Sequence, residues 1–241
     1  MKNIIAMLVL AISISGCATM IVMEPVQNQN MTDKFTLQGK SFAVSQKANS
    51  KILASMIKND DGYLEIVLAI SNISNDRIEV LLTNIKILCT YYEYDSYRRS
   101  DEGKQRIVNL KVYSAKEWIN KVETNQALAA ALTGVAQGMK AANAGYSNTY
   151  NSNGAQSTTY NYSEKAYVDN LNRQETNQMY RSFEDEKAGY NSTLLKDNTL
   201  FPRQFIVGTV YAKYMEGQEY CLLFKINDEE HKIDFKPVEN R

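Results

Sequence analysis

A mainly β fold, a sandwich of strands interrupted by a helical hairpin, is what the 241-residue sequence predicts. Two stretches, 35–113 and 190–241, alternate apolar and polar residues with the period of two that a half-buried strand requires. Between them, 114–189 turns to good helix formers. Short clusters of Asn, Asp, Ser and Gly divide the β stretches at the intervals expected of turns. The order is about five strands, two helices and about three strands, which reads as one sandwich with the helices inserted late. A single sheet covered by the two helices is the alternative.

The chain opens with Lys2 and an apolar run from Ile4 to Ile14. Such a run is about half the ~20 residues of a transmembrane helix, and with its small-residue exit it has the layout of a secretory signal peptide. The exit reads Ile14-Ser15-Gly16-Cys17, which resembles the lipobox of bacterial lipoproteins. The resemblance implies cleavage after residue 16 and acylation of Cys17. Ala18, where Asp often marks inner-membrane retention, favours the outer membrane. Several acyl chains, at ~0.8 kcal/mol per buried methylene, would hold a soluble domain stably. Residues 17–34, rich in Asn and Gln and containing Pro25, read as a tether.

Ser41–Gln46 and Lys51–Ile57 are short strand candidates. Gly62–Ser71 sets Leu64, Ile66, Leu68 and Ile70 on one face, and Asn72–Asp76 is turn chemistry. Ile78–Tyr92 reads as a long strand bent near Asn84, Asp95–Lys104 as a polar turn, and Arg106–Tyr113 as another strand. Ser114-Ala115-Lys116-Glu117 is a capping box opening an Ala-rich helix to about Ala142. Residues 143–163 form a low-complexity loop within the uncharged stretch between Lys140 and Glu164. A second helix is expected from Glu164 to Lys187, with Ser163 as cap, Gly189 as stop and a narrow apolar stripe of Val168, Leu171, Met179 and Phe183. Gln204–Tyr214, Glu219–Ile226 and His231–Lys236 are the closing strands, with hairpin turns at 215–218 and 227–230.

The run Asn198-Thr199-Leu200-Phe201-Pro202-Arg203-Gln204, followed by Gly208-Thr209-Val210-Tyr211, is similar to the late strands of telokin-like, immunoglobulin-type domains of bacterial lipoproteins. Arg203 stands where that pattern usually has Gly. The resemblance implies an immunoglobulin-like β-sandwich, and a fold of that kind does not itself assign a function.

Charge and composition exclude several classes. Lys and Arg number 27, as do Asp and Glu. Loss of Lys2 with the signal leaves 26 against 27, so no excess charge draws the chain to nucleic acid. There is one histidine, His231, beside Asp228, Glu229 and Glu230. It reads as an exposed strand-edge residue, with no nucleophile motif near it. Glu184-Asp185-Glu186 diverge around a helix and read as a solvated face. No metal-ligand spacing and no phosphate loop is present, so neither a cofactor nor an enzymatic activity is expected.

Four features remain as candidates. Cys89 and Cys221 could bridge in an oxidising compartment, although alternation sets them on opposite faces. Ala130, Gly134, Gly138 and Ala142 form a small-residue ladder along one helix. It could pack within the chain, join copies or touch lipid. Tyr94, Tyr97, Arg98 and Arg99 close a Tyr/Arg stretch that starts at Tyr91 and suits contact with protein or glycan. Trp118 reads as an anchor of its helix turn onto the sandwich. The expected function is that of an envelope lipoprotein, held by its N-terminal lipid, acting as a non-enzymatic binding or structural module toward an envelope protein or glycan. A self-assembling lipoprotein using the Ala/Gly ladder is the alternative; an envelope enzyme of unrecognised kind is a third.

Overall fold

The computed structural model describes residues 21–29, 31–37, 40–93, 104–150 and 156–238. They fall into a β unit, formed by the chain up to Ser114 and from Leu194 onward, and a helical unit, Ala115–Thr193.

The β unit begins with β1 (Ile21–Pro25), β2 (Asp33–Leu37), β3 (Lys40–Gln46), β4 (Ser50–Lys58) and β5 (Tyr63–Asn72). It continues with β6 (Ile78–Val80), a 3-10 turn at Leu82–Asn84, β7 (Ile85–Glu93), β8 (Lys104–Leu110) and β9 (Val112–Tyr113). The helical unit holds α1 (Ala115–Asn143), β10 (Tyr146–Tyr150), β11 (Gln156–Tyr160) and α2 (Tyr162–Thr193). The chain then returns to the β unit as β12 (Asn198–Leu200), β13 (Phe205–Lys213), β14 (Glu219–Ile226) and β15 (Glu229–Val238).

Eleven strands pair antiparallel in one sheet, with the path β8-β7-β14-β15-β1-β4-β5-β13-β9 and β2-β3 attached to β4. The chain is thus mainly β with two helices, as expected, but hydrogen bonding does not divide these strands into two sheets, and β1 is the reason. Val22 pairs with Val238 of β15 on one side and with Ile57 of β4 on the other. Without β1 the path would fall into β8-β7-β14-β15 and a second group built around β4 and β5. The expected tether at 17–34 thus contains an interior strand, with Met23 wholly buried. Five residues are too few to display a period, and the Asn/Gln run after them hid it. The two ends of the path, β8 and β9, are parts of one segment joined through Lys111, β8 lying on β7 and β9 on β13. The sheet thereby nearly closes on itself, which leaves few strand edges unpaired.

Alternation fills the interior. Leu64, Ile66, Leu68 and Ile70 of β5 are fully buried, and Ile66, Leu68 and Ile70 face Met56, Ala54 and Ile52 of β4. Tyr220, Leu222 and Phe224 of β14 oppose Phe235, Ile233 and His231 of β15. Burial of one such large side chain contributes about 1.5–3 kcal/mol. Two positions depend on the absence of a side chain. A Cβ at Gly208 would lie 2.7 Å from Leu195 Cα and 2.8 Å from its N. Leu195 N donates to Thr209 O at 2.9 Å there. A Cβ at Gly217 would strike Cys89 Sγ and come within 2.9 Å of Thr90 O.

Four local readings change. Residues 215–218 do not close a hairpin: β13 pairs with β5 and β9, and β14 with β7 and β15, so this stretch carries the chain across to a different part of the sheet. The low-complexity loop contains β10 and β11, paired from Tyr146↔Tyr160 to Tyr150↔Gln156. Their Tyr and Thr content suits strands, but the absence of apolar alternation disguised them. Asn161, rather than Ser163, caps α2, its Oδ1 accepting from Ser163 N at 3.0 Å and Glu164 N at 3.3 Å. Helix α2 also runs past Gly189 to Thr193.

The turn of the telokin-like segment has a definite geometry. Gln204 N donates to Phe201 O at 3.0 Å across Pro202 and Arg203. Arg203 has φ of 67°, the left-handed value that the third residue of a type II turn requires and that Gly adopts freely. The substituted Gly position therefore keeps a backbone conformation suited to Gly.

Candidate functional site

Within the helical unit, α1 meets α2 through its polar side. Gln126 Nε2 donates to Phe183 O at 3.3 Å and to Glu186 Oε2 at 2.8 Å. Gln137 Nε2 donates to Asn172 O at 3.1 Å, and Thr176 Oγ1 donates to Gln137 Oε1 at 3.0 Å. Lys187 pairs with Glu123, and Lys140 with Glu175 at 3.9 Å. A groove of about 400 Å³ runs between the helices beside Gln126, Ala130, Tyr180 and Phe183. Trp118 is buried and packs edge-to-face on Tyr190 of α2, with ring centroids 5.9 Å apart.

The opposite side of α1 is apolar and open. Leu128, Leu132, Val135 and Met139 are 61%, 64%, 60% and 61% exposed. Their spacing of four, three and four residues sets them in one row, the seam of a heptad pattern. The same spacing is plain in the sequence, on a different face from the Ala/Gly ladder. Of that ladder, Ala130 borders the inter-helix groove, whereas Gly134, Gly138 and Ala142 are exposed. A Cβ at Gly134 or Gly138 would meet nothing within 4 Å. Neither glycine is therefore required by packing among the described residues. In the expected α2 stripe, Val168, Met179 and Phe183 are half-buried and Leu171 is exposed. Near the helix ends, Tyr146, Tyr160 and Tyr162 stack edge-to-face in sequence, at 4.9 Å and 4.7 Å.

In the β unit, Tyr91 and Tyr92, the start of the Tyr/Arg stretch, line a cleft of about 330 Å³ with Glu216, Gly217 and Gln218. Tyr94, Tyr97, Arg98 and Arg99 lie outside the described residues, as does Cys17. Near this cleft the Cys89 thiol donates to Met215 O at 3.7 Å, and Tyr220 Oη donates to the same carbonyl at 2.7 Å. Exposed Phe201, Phe205 and Val207 form a second apolar group around the Arg203 turn.

The Cys89–Cys221 bridge is not made; both thiols are free. Cys89 opposes Tyr220 while Cys221 opposes Leu88, so the two side chains leave the sheet on opposite faces. Burial pushes the Cys89 thiol up, and burial together with neighbouring Asp234 raises that of Cys221 to about 12.

His231 is interior, not the exposed strand-edge residue expected. It is 1% exposed, because it shares the inward parity of Ile233 and Phe235. The charged residues preceding it in sequence obscured that alternation. Ser50 Oγ donates to Glu229 Oε2 at 2.6 Å and so accepts from His231 Nε2 at 2.8 Å. Nδ1 then accepts from Ser45 Oγ at 3.0 Å. Hydrogen bonds thus run in one direction from Ser45 through the neutral ring and Ser50 to the carboxylate. Burial lowers the histidine to about 4 in spite of the Glu229 charge, which pulls the other way; Lys47 lowers it further. Burial opposes the charged form of Glu229, but Ser50 and the Asn49 amide donate to it and hold it below its usual range. Ser45, Ser50 and His231 are all buried, and the cluster satisfies its buried polar groups as a structural network does.

Glu184, Asp185 and Glu186 are exposed. Among the described residues no group of three or more His, Cys, Asp or Glu could hold a metal ion, and no helix is long and apolar enough to cross a membrane. No protein-family model, curated protein or solved structure matches the chain.

Proposed function

We propose that this chain is a lipid-anchored envelope protein whose helical unit is its working part, a non-enzymatic binding or structural module carried by the β unit. The observation that carries this reading is the inverted arrangement of α1, which turns Gln126 and Gln137 toward α2 and Leu128, Leu132, Val135 and Met139 outward. An isolated soluble helical hairpin gains most by the reverse arrangement. Contiguous exposed apolar surface on such an element marks a contact site. The lipobox-like Ile14–Cys17 run supports an anchor at Cys17, and Ala18 supports the outer membrane.

Excision of the helical unit tests the proposal. Tyr113 pairs with Tyr211, and Leu194 bridges Thr209 two residues away on the same strand. A short glycine linker can therefore replace Ala115–Thr193. Cells expressing the full chain and the excised form are labelled with a clickable fatty acid, fractionated and chemically cross-linked. Both forms should carry label in the outer membrane, and only the full chain should give cross-linked species. The same cross-linked species from both forms would refute the role of the hairpin. Absence of label, or equal label on a Cys17→Ser variant, would refute the anchor.

A further inference from the structure

We infer that the outward seam of α1 is covered by the α1 of a second copy of this chain, packed antiparallel across a two-fold axis. The inference rests on the proposed working role of the helical unit and names its partner.

Three observations select this occupant. First, the spacing Leu128, Leu132, Val135, Met139 reads the same in both directions. An antiparallel copy thus places Leu128 against Met139 and Leu132 against Val135, twice. That is the self-complementarity an isologous interface requires. Second, no charged residue occurs from Thr124 to Met139. A second copy meets no charge to desolvate, whereas an acidic or basic partner, or anionic headgroups, would find nothing to pair with. By helical periodicity the seam is bordered by Ala131 and Gly138 on one side and by Ala129 and Ala136 on the other, so two backbones can approach closely. Third, the area fits. Four side chains about three-fifths exposed offer roughly 400 Å², as large as the biggest apolar patch an ordinary monomer shows. Two such faces with their alanine borders approach the roughly 1,000 Å² of a specific interface. The row spans only about 17 Å at 1.5 Å per residue, too short to cross a ~30 Å hydrocarbon layer.

The experiment uses the full-length chain in its native membrane. Val135→Cys is placed in the seam, and Arg181→Cys on the exposed side of α2 serves as control. After mild oxidation, the products are separated without reductant and identified by mass, with the parent chain processed in parallel. A product of two chains from Val135→Cys alone is expected. Adding Leu132→Glu should raise the dissociation constant at least about 100-fold and remove that product while the helix content of the purified variant is unchanged. A Val135→Cys product containing a different protein would overturn the second copy and leave the working role of the hairpin intact. No product, with the introduced thiol shielded from a water-soluble maleimide until detergent is added, would overturn it in favour of lipid. No product, with the introduced thiol freely labelled, would overturn both this inference and the role given to the hairpin.

Discussion

Acidification from pH 7.5 to 5.0 isolates one buried side chain, because His231 is the sole histidine of the sequence. No other side chain has an ordinary pKa in that interval. Burial lowers the ring from 6.5 to about 4 in the folded protein. Between those values the unfolded chain binds a proton that the folded chain refuses. A lowered histidine therefore contributes no penalty above 6.5, and stability falls as pH drops from 6.5 toward 4. At 1.36 kcal/mol per pKa unit the full effect is about 3 kcal/mol, of which about 2 kcal/mol is expressed by pH 5.0. Glu229, held low, contributes in the opposite window: its stabilisation is present above the unfolded carboxyl pKa and is lost only as pH falls through its folded value. It leaves the interval above pH 5 to the histidine. Urea unfolding followed by circular dichroism, repeated at half-unit steps, should show the midpoint fall with an unchanged slope. In His231→Gln the baseline is lower at neutral pH, but the fall between 7.5 and 5.0 disappears. A flat wild-type profile, or an equal fall in His231→Gln, would refute the buried neutral ring. Nitrogen shifts assigning the proton to Nδ1 would refute the direction of the Ser45–His231–Ser50–Glu229 hydrogen bonds.

Two further predictions concern backbone positions. Gly208→Ala forces a methyl group into Leu195 and should destabilise the β unit by about 1–3 kcal/mol, whereas Gly134→Ala, with open space around it, should stabilise its helix by about 0.5–1 kcal/mol; denaturant titration of the two variants checks the contrast, and equal effects would contradict the local geometry. At the left-handed Arg203, substitution by Val should cost at least about 1 kcal/mol and substitution by Gly should cost nothing or stabilise slightly, an ordering that thermal unfolding of the pair reveals.

The strands and helices with clear periods were legible. Leu64, Ile66, Leu68 and Ile70 show period two and all face inward. The first helix was expected to run from the capping box to about Ala142 and spans Ala115–Asn143. The errors lie where a local pattern was weak or was outweighed by its neighbours. Ile21–Pro25 is too short to declare itself, yet it decides whether the strands form one sheet or two. Which strands pair is a non-local property, so a turn-like 215–218 could not reveal that it joins unpaired strands. His231 follows three acidic residues along the chain, which mask its inward parity with Ile233 and Phe235. At the candidate site, the row through Leu128 and Met139 was readable as spacing; which side of α1 faces α2 was not, because alanines occupy several faces of that helix. Gln126 and Gln137 settle the orientation by finding α2 acceptors.

Under the proposed lipid anchor, the early start of β1 also sets how far the protein can range. Pairing begins at Ile21, so a lipid on Cys17 would be separated from the sheet by only about four peptide units, a reach of about 14 Å at full extension. Such an anchor acts as a mooring rather than a leash. The β unit would remain against the bilayer surface, without the excursion that a long polar linker gives, and neighbouring copies would be confined to nearly the same height. Two-dimensional confinement of that kind raises the effective concentration of like faces for one another, so a contact too weak to persist in dilute solution can be well populated on the membrane.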